Sequence, residues 1–357
     1  MHKLKTQERK PTLAHIASVA GVSKATVSRV LNGSGLVRDD VVKRVKNVVA
    51  ETGYVHKSPK LQIPMQLNHV TFFCIDVLSN ASSFYSTILR SVKEEFDKMN
   101  ITVDIVLYNK NTSNEVLCSK TNNSQALLIL GEPSISLSEV LRQSELPALL
   151  LNAIDDQMKV PSIHPDYELG GFMAASYLLE RGHSKIKIIT SNDRHSIYQR
   201  TDGFLRALQF AGLDLNYDDV VVDLNKIKKS GSTSVLGDFG AQELLPTLID
   251  EGVFSDCTAV FCICDMIAFS LIDALAHHKL KVPDDISVIG FDNLNLTSLV
   301  KPNLTTLSVN YANLAKATLI KLVRLSNEPD NVESRSMIPV EIVERLSVKD
   351  LNTEGGG

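Results

Sequence analysis

The sequence predicts an α/β protein in which a small all-α unit precedes a larger body built on parallel sheets. Residues 12–52 carry apolar residues at helical spacing in three short segments. From residue 67 onward, short apolar runs alternate with amphipathic helices, an order typical of parallel sheets with helices on both faces. The chain has 357 residues, of which 44% are hydrophobic, so two or three domains with full cores are expected.

Residues 12–38 predict two short helices joined by a tight turn. Thr12 can cap the first helix and Ser23 the second, which runs to about Leu31. Gly21 between them can adopt the positive φ that such a turn requires. The second helix has apolar residues on one side and polar and basic residues on the other. This pattern indicates a helix-turn-helix, and the alternative is a packed helical hairpin with no DNA-binding role.

The charge distribution supports the first interpretation. Residues 1–60 contain 12 Lys and Arg against 4 Asp and Glu, whereas the remainder contains 25 against 37. A basic N-terminal unit on an acidic body is typical of a DNA-binding unit attached to a domain with another task.

The run AGVSKATVSRVLNGSG, followed by a third helix predicted over about Asp39 to Thr52 and the residues ETGY, resembles the DNA-binding headpiece of the LacI/GalR family of bacterial repressors. In that family the second helix lies in the major groove. The resemblance implies that Lys24, Ala25 and Arg29 read bases, and Arg29 has the fork geometry for a guanine. Residues with short donors are expected at phosphates, which set register; these are Thr12, Ser23, Thr26, Ser28 and Asn32.

The segment 58–66 departs from the family pattern. The family has a hinge helix here that inserts an apolar side chain into the minor groove, and the matching position in this chain is Ile63, with Lys60 at the usual Ala position. Pro59 and Pro64 flank the segment, so it can form one helical turn or remain an unstructured linker. The sequence leaves both alternatives open.

The body predicts about eight strands, which could form one large sheet or two smaller ones. The predicted strands are Val70–Ile75, Thr102–Leu107, Ala126–Ile129, Ala148–Leu151, Ile186–Thr190, Val220–Val222, Ala259–Ile263 and Ser287–Phe291. The predicted helices are Phe84–Met99, Ser136–Gln143, Tyr167–Arg181, Ile197–Phe210, Phe239–Glu251, Asp265–His277 and Ala312–Leu325.

The resemblance extends into this body, because HPDYELGGFMAASYLLERGH, RTDGFLRAL, AVFCICDMIAFSLIDAL, VPDDISVIGFDN and KPNLTTL lie in the family's order. It implies two periplasmic-binding-protein-like lobes, each with a parallel sheet, crossed by three strands. The expected divisions are a headpiece at 1–57, a hinge at 58–66, a body at 67–350 and a tail at 351–357. Within the body, the N-lobe is expected at 67–165 and 294–326, and the C-lobe at 166–293 and 327–350.

In such a body a ligand binds between the lobes, where loops leave the carboxyl ends of the strands. The resemblance implies that the effector-binding residues are Phe84, Tyr85, Asp166, Arg200, Asp265 and Asp292. Core packing is the alternative for the two aromatic residues, and helix capping is the alternative for Asp166 and Asp265. Asp292 is expected nearer the rim, where it could serve the hinge between the lobes. Cys264 stands where the family commonly has Asn or Ser.

Other classes of protein have little support. The five cysteines form no CxxC pair, and no nucleophile elbow, phosphate loop or metal motif is present, so we expect no enzyme, no cofactor and no metal. No signal peptide or membrane-spanning apolar run is visible, which indicates a cytoplasmic, nucleoid-associated protein. No leucine heptad follows the body, so we expect a homodimer rather than a tetramer.

The sequence therefore predicts a DNA-binding transcriptional regulator, with repression as the expected action, that binds a palindromic operator in double-stranded DNA. A small-molecule effector between the lobes, expected to be a sugar or sugar derivative, would control it. A sugar-transport protein and an enzyme are the rival interpretations. Whether the effector is an inducer or a corepressor stays open.

Overall fold

A computed structural model describes residues 12–32, 38–52, 54, 67–76, 83–155, 157–192, 194–213, 216–227, 237–328 and 334–354. The chain divides into two compact units, Met1–Met65 and Gln66–Gly357.

The described residues of the first unit form three helices around a core of their own. They are α1 (Leu13–Ala20), α2 (Lys24–Asn32) and α3 (Asp39–Thr52). Apolar residues at helical spacing bury one side of each helix, and the buried members are Ile16, Ala17, Ala20, Val27, Val41, Val45 and Val48.

The described residues of the second unit form two six-stranded sheets. The first has the order β11-β5-β4-β3-β1-β2, and all its strands are parallel. The second has the order β12-β10-β9-β8-β6-β7, and only β12 is antiparallel to its neighbour. The strands are β1 (His69–Ile75), β2 (Thr102–Tyr108), β3 (Ala126–Leu130), β4 (Ala148–Leu151), β5 (Ser162–Pro165), β6 (Ile186–Thr190), β7 (Val221–Asp223), β8 (Ala259–Cys262), β9 (Ser287–Asp292), β10 (Thr305–Val309), β11 (Arg335–Ile338) and β12 (Val340–Val343).

Helices cover these sheets and explain why the central strands are apolar along their whole length. In β3, for example, all five residues are buried. The helices of this unit are α4 (Ser83–Asp97), α5 (Asn114–Ser119), α6 (Ile135–Gln143), α7 (Tyr167–Glu180), α8 (His195–Phe210), α9 (Tyr217–Val220), α10 (Leu224–Ile227), α11 (Ala241–Asp250), α12 (Asp265–His277) and α13 (Tyr311–Asn327).

The prediction of two sheets rather than one is confirmed, and each sheet with its helices forms one lobe. The expected lobe boundaries were wrong in two places. Strand β10, placed in the N-lobe, pairs with β9 in the second sheet, and β11, placed in the C-lobe, pairs with β5 in the first. The chain therefore crosses between the lobes after β5, after β10 and between β11 and β12. The partner of β11 lies about 170 residues earlier in the chain, and the local pattern of a strand does not encode which of two sheets the strand joins.

Candidate functional site

The turn between α1 and α2 has the geometry that its residues predict. The Thr12 hydroxyl oxygen accepts a hydrogen bond from the His15 backbone N–H at 3.3 Å, and Ser23 accepts one from the Thr26 N–H at 3.0 Å. Gly21 ends α1 in the left-handed region, with φ of 63°. Both helices therefore begin with a capped N–H group, and the glycine allows the chain to reverse between them.

Helix α2 has one buried face and one exposed face. Val27 is fully buried in the headpiece core, whereas the side chains of Lys24, Ala25 and Arg29 are exposed. Positions 25 and 29 are one helical turn apart and lie on one face, and Lys24 is exposed at the first position of the same helix. We call these three residues the reading surface.

The residues expected at phosphates surround this surface in different ways. Thr12 and Ser23 are exposed, Thr26 and Ser28 are half-buried, and the Ser23 and Thr26 hydroxyls are 2.9 Å apart. The side chain of Asn32 and the hinge residues Lys60 and Ile63 lie outside the described residues.

A cavity of about 800 Å³ lies between the two lobes of the body. On the first-lobe side it is lined by residues at or just beyond the carboxyl ends of the strands, which are Ile75, Asn109, Gly131, Asn152 and His164. On the second-lobe side it is lined by residues of α7 and α8 and their N-terminal flanks, which are Tyr167, Arg194, His195, Ser196 and Gln199. We call this space the main cavity. Its position is the one that parallel sheets commonly offer a ligand.

Most of the expected effector residues lie beside a second, smaller space. This inner cavity has a volume of about 80 Å³ and is lined by Phe84, Tyr85, Arg200 and Asp292, with Cys264 at the start of α12. Tyr85 lines both spaces. Phe84 is buried and packs edge-on against Tyr85 and Tyr311, with ring centroids 5.1 and 6.0 Å apart. The inner cavity is narrow because these aromatic rings fill much of the space around it.

Arg200 and Asp292 form a buried ion pair beside the inner cavity. One guanidinium nitrogen of Arg200 lies 3.3 Å from a carboxylate oxygen of Asp292, and another donates to the Ile263 carbonyl. The guanidinium also lies over the rings of Phe291 and Tyr167, at 3.9 and 4.4 Å. Burial raises the pKa of Asp292 to about 6, against the opposing effect of the neighbouring Arg200. Burial alone would lower the pKa of Arg200, but the adjacent Asp292 carboxylate keeps it above its ordinary value.

The expected position of Asp292 near the rim was wrong, since its side chain is buried in this pair. Asp265 and Asp166 line neither cavity. Asp265 is fully buried and accepts hydrogen bonds from the Leu294 N–H at 2.8 Å and the Thr306 hydroxyl at 2.5 Å. Asp166 caps α7 by accepting from the Leu169 N–H at 3.0 Å. Both carboxylates therefore form hydrogen bonds with other groups of the protein. For Asp166 the bond is the helix cap that the sequence offered as the alternative to effector binding.

Several cavity residues were missed from the sequence. Tyr167 and Arg194, on the second lobe, bond across the cleft to Asn152 and Tyr85 on the first. The Tyr167 hydroxyl donates to Asn152, Asn152 donates to the Tyr85 hydroxyl at 3.4 Å, and Arg194 donates to the same hydroxyl at 3.2 Å. Asn152 directly follows a strand, and this position could have identified it from the sequence as a cavity residue. Nothing in the local sequence indicates that Arg194 binds Tyr85 from the other lobe.

In the described ranges, no group of three or more His, Cys, Asp or Glu is placed to hold a metal ion. No helix in the same ranges combines the length and the apolar character needed to cross a membrane.

Known proteins share both units of this chain. Residues 12–57 match the model of the bacterial regulatory proteins of the lacI family, and residues 175–348 match a periplasmic binding protein-like domain. The chain is similar to the HTH-type transcriptional repressor PurR of Vibrio campbellii, with 28% identity over 96% of this chain and 99% of the relative. It is equally similar to the repressor CytR of Escherichia coli K12, with 28% identity over 98% of this chain and 99% of the relative.

Solved structures share the fold at lower identity. A complex of the transcriptional regulator CelR with cellobiose matches with a TM-score of 0.67 and 22% identity, over 94% of this chain and 99% of that one. A Lac repressor dimer bound to operator and an anti-inducer matches with a TM-score of 0.62 and 22% identity, over 96% of this chain and 100% of that one. The chain therefore carries a DNA-binding domain of the kind found in the bacterial regulatory proteins of the lacI family, followed by a periplasmic-binding-protein-like domain.

Proposed function

We propose that this chain is a transcriptional repressor that binds a palindromic operator as a homodimer and is controlled by a small metabolite in the cleft of its body. The similar proteins PurR and CytR are named as repressors. The similar Lac repressor was solved as a dimer on operator DNA, and CelR with cellobiose. These proteins support the same arrangement here, in which two headpieces read two half-sites related by two-fold symmetry.

The observation that carries the DNA-binding part of the proposal is the reading surface. A basic and small-residue surface on the second helix of a capped helix-turn-helix is suited to the major groove. We propose that Arg29 and Lys24 donate to guanine acceptors and that Ala25 contacts a thymine methyl group. Thr12, Ser23, Thr26, Ser28 and Asn32 would bind phosphates, and Lys60 and Ile63 would contact the minor groove.

We propose that the effector binds in the main cavity. Tyr85 lines both the main and the inner cavity, and the Arg200–Asp292 pair lines the inner cavity. A cavity of about 800 Å³ is in the range that small-molecule sites occupy. Effector binding would shift the population of lobe arrangements, and through them the spacing of the two headpieces. We propose a regulator rather than an enzyme, acting in the cytoplasm where its operator lies.

The Arg29→Ala variant tests this function. Operators are first selected from random duplexes with the full-length protein, and binding is then measured on the selected duplex and on versions changed at each position. Arg29→Ala should cost roughly 1–3 kcal/mol on the selected duplex and relax the preference at one base pair per half-site, because a bidentate base contact is lost.

Arg44→Ala is the matched control, since it removes the same charge from an exposed position on α3. It should weaken binding to all duplexes by a similar factor and leave the preferred sequence unchanged. If Arg29→Ala also weakens every duplex equally, Arg29 does not read a base. If the wild-type protein selects no sequence at all, the proposed function is wrong.

A further inference from the structure

Four side chains connect the two lobes through one continuous chain of hydrogen bonds. Tyr85 and Asn152 belong to the first lobe, since α4 packs on β2 and Asn152 directly follows β4. Tyr167 and Arg194 belong to the second, since they begin or flank α7 and α8, which pack on strands of the second sheet. The Tyr167 hydroxyl donates to the Asn152 amide oxygen. The Asn152 amide N–H and the Arg194 guanidinium both donate to the Tyr85 hydroxyl, at 3.4 and 3.2 Å. We call these four residues the latch.

The surrounding structure holds the latch residues in place. The backbone of Asn152 lies in the left-handed region, with φ of 60°, and its N–H donates to the Ile163 carbonyl at 2.9 Å. The side chain of Tyr167 is buried, and its ring packs against Phe291 and under the Arg200 guanidinium, at 5.8 and 4.4 Å. Because these groups are already ordered by their own lobes, little further conformational entropy is lost when the latch forms.

The latch lies between the main and the inner cavity, since each of its four residues lines both spaces. Cys264 lines the inner cavity and not the main one, and it is only 6% exposed. A ligand in the main cavity can therefore contact the latch directly. If the lobes move apart, the bonds from Tyr167 and Arg194 to the first lobe must break, and the inner cavity with Cys264 becomes accessible.

We infer that the latch holds the two lobes closed through the protein's own side chains, and that opening it changes the affinity for operator DNA. Two of its three hydrogen bonds join the lobes directly, and the third, between Asn152 and Tyr85, connects those two. Hydrogen bonds between buried groups are stronger than the same bonds in water, so the set favours the closed arrangement. The link to DNA rests on the proposed function, in which the arrangement of the lobes sets the spacing of the headpieces.

Alkylation of cysteine thiols by N-ethylmaleimide measures the opening of the latch in the full-length protein. Cys264 should react only when the inner cavity opens. Cys257 is similarly buried, at 7% exposed, but lines neither cavity, so it is an internal control in the same chain. Burial raises the pKa of Cys264 to about 12 and that of Cys257 to about 11, so both thiols react slowly, and each rate is compared between variants for one cysteine at a time. Tandem mass spectrometry identifies the modified thiol.

The Tyr85→Phe variant removes the hydroxyl that accepts two bonds of the latch and keeps the packed ring. It should increase the alkylation rate of Cys264 by about tenfold, because the closed arrangement loses these bonds. The rate at Cys257 should stay unchanged.

Tyr198→Phe is the matched control. The Tyr198 hydroxyl donates to the Asn192 carbonyl at 3.0 Å, a bond within the second lobe, so its loss should change neither alkylation rate. Arg194→Met then tests whether Arg194 acts through Tyr85. Alone it should also increase the rate at Cys264, and combined with Tyr85→Phe it should fall well short of the product of the two single effects, because both changes remove the same bond.

Operator affinity is measured on the same proteins with a duplex that the wild type selects. Tyr85→Phe should change this affinity by at least about fivefold, whereas Tyr198→Phe should leave it unchanged. A gain in affinity would show that the open arrangement is the DNA-binding form, and a loss would show that the closed arrangement is.

Three outcomes would overturn the inference. These are a Cys264 rate in Tyr85→Phe equal to that of the wild type, an equal rise at Cys257, which would indicate general loosening, and an operator affinity that stays unchanged when the latch has opened. Thermal melting checks that each variant folds. If the wild type selects no operator duplex, the proposed function fails, and the alkylation rates still decide whether the latch holds the lobes closed.

Discussion

The buried pair of Arg200 and Asp292 links protonation to stability at a single residue. The pKa of Asp292 is raised to about 6 from an ordinary value of 3.8, so the folded protein holds this proton more tightly than the unfolded chain does. Its contribution to stability is fully present below about pH 4 and is lost as the pH rises through about 6, by roughly 3 kcal/mol at most.

The Asp292→Asn variant should therefore lose less stability than the wild type between pH 4 and pH 6. At pH 7 it should still be the less stable protein, by roughly 3–5 kcal/mol, because Arg200 is left as a buried charge without its carboxylate. Urea unfolding of both proteins across this pH range measures the difference. Asp202→Asn, at an exposed position of α8, is the control and should parallel the wild type. An unchanged slope in Asp292→Asn would contradict the assignment.

The sequence could not distinguish the roles of Asp265 and Asp292, since each lies at or just past the end of a strand. Their difference arises from packing. Gly290 on β9 lets the Asp265 carboxylate come so close that a Cβ at this position would overlap it. Asp265 is thereby directed toward Thr306 and the Leu294 N–H, while Asp292 is left to pair with Arg200. Which partner each carboxylate binds depends on the register of the strands, and a local sequence motif does not specify that register.

At the scale of elements, helices α7 and α8 approach each other through two glycines. A Cβ on Gly171 would overlap the Arg200 carbonyl oxygen, and a Cβ on Gly203 would overlap the Glu168 carbonyl oxygen. The obstacle in each case is backbone, which cannot rotate away as a side chain can. The contact therefore fixes the position of Arg200 relative to α7.

Gly171→Ala should lower the free energy of unfolding by about 3 kcal/mol or more, at the upper end for overpacked interiors, because the two helices must separate. Gly212→Ala is the control: its φ of 76° carries a backbone cost of about 1–2 kcal/mol, but the added Cβ meets nothing within 4 Å. Chemical denaturation of both variants gives the comparison. A loss for Gly171→Ala no larger than that of the control would show that the helices can adjust.

Long periodic helices and continuous apolar strands were predictable from the sequence, and short strands that include polar residues were not. Helix α12 begins and ends at the predicted residues, and β1 and β4 differ from prediction by at most one residue. Strands β5, β11 and β12 were missed because each has only four residues and, unlike the equally short β4, includes polar residues that interrupt the apolar run. Strand β5 is paired on both sides nonetheless, since tertiary packing determines it.

At the scale of the whole molecule, the two compact units have separate cores. A shortened protein comprising residues 66–357 should therefore keep the fold of the body and the ligand affinity of the full chain, and should lose operator binding. Circular dichroism, isothermal titration and a gel-shift assay test these three properties. A body that unfolds without its headpiece, or a ligand affinity that falls more than about tenfold, would show that the units depend on each other.

Strands β11 and β12 are separated only by Pro339, yet they complete different sheets. During synthesis, strands β1 to β5 are made first, but the edge of β5 must await β11, about 170 residues later. At bacterial translation rates that delay is on the order of ten to thirty seconds, during which an unpaired edge is open to association with other chains. The first lobe to be translated is thus completed almost together with the second, and a chaperone that shields this edge would raise the yield of folded protein.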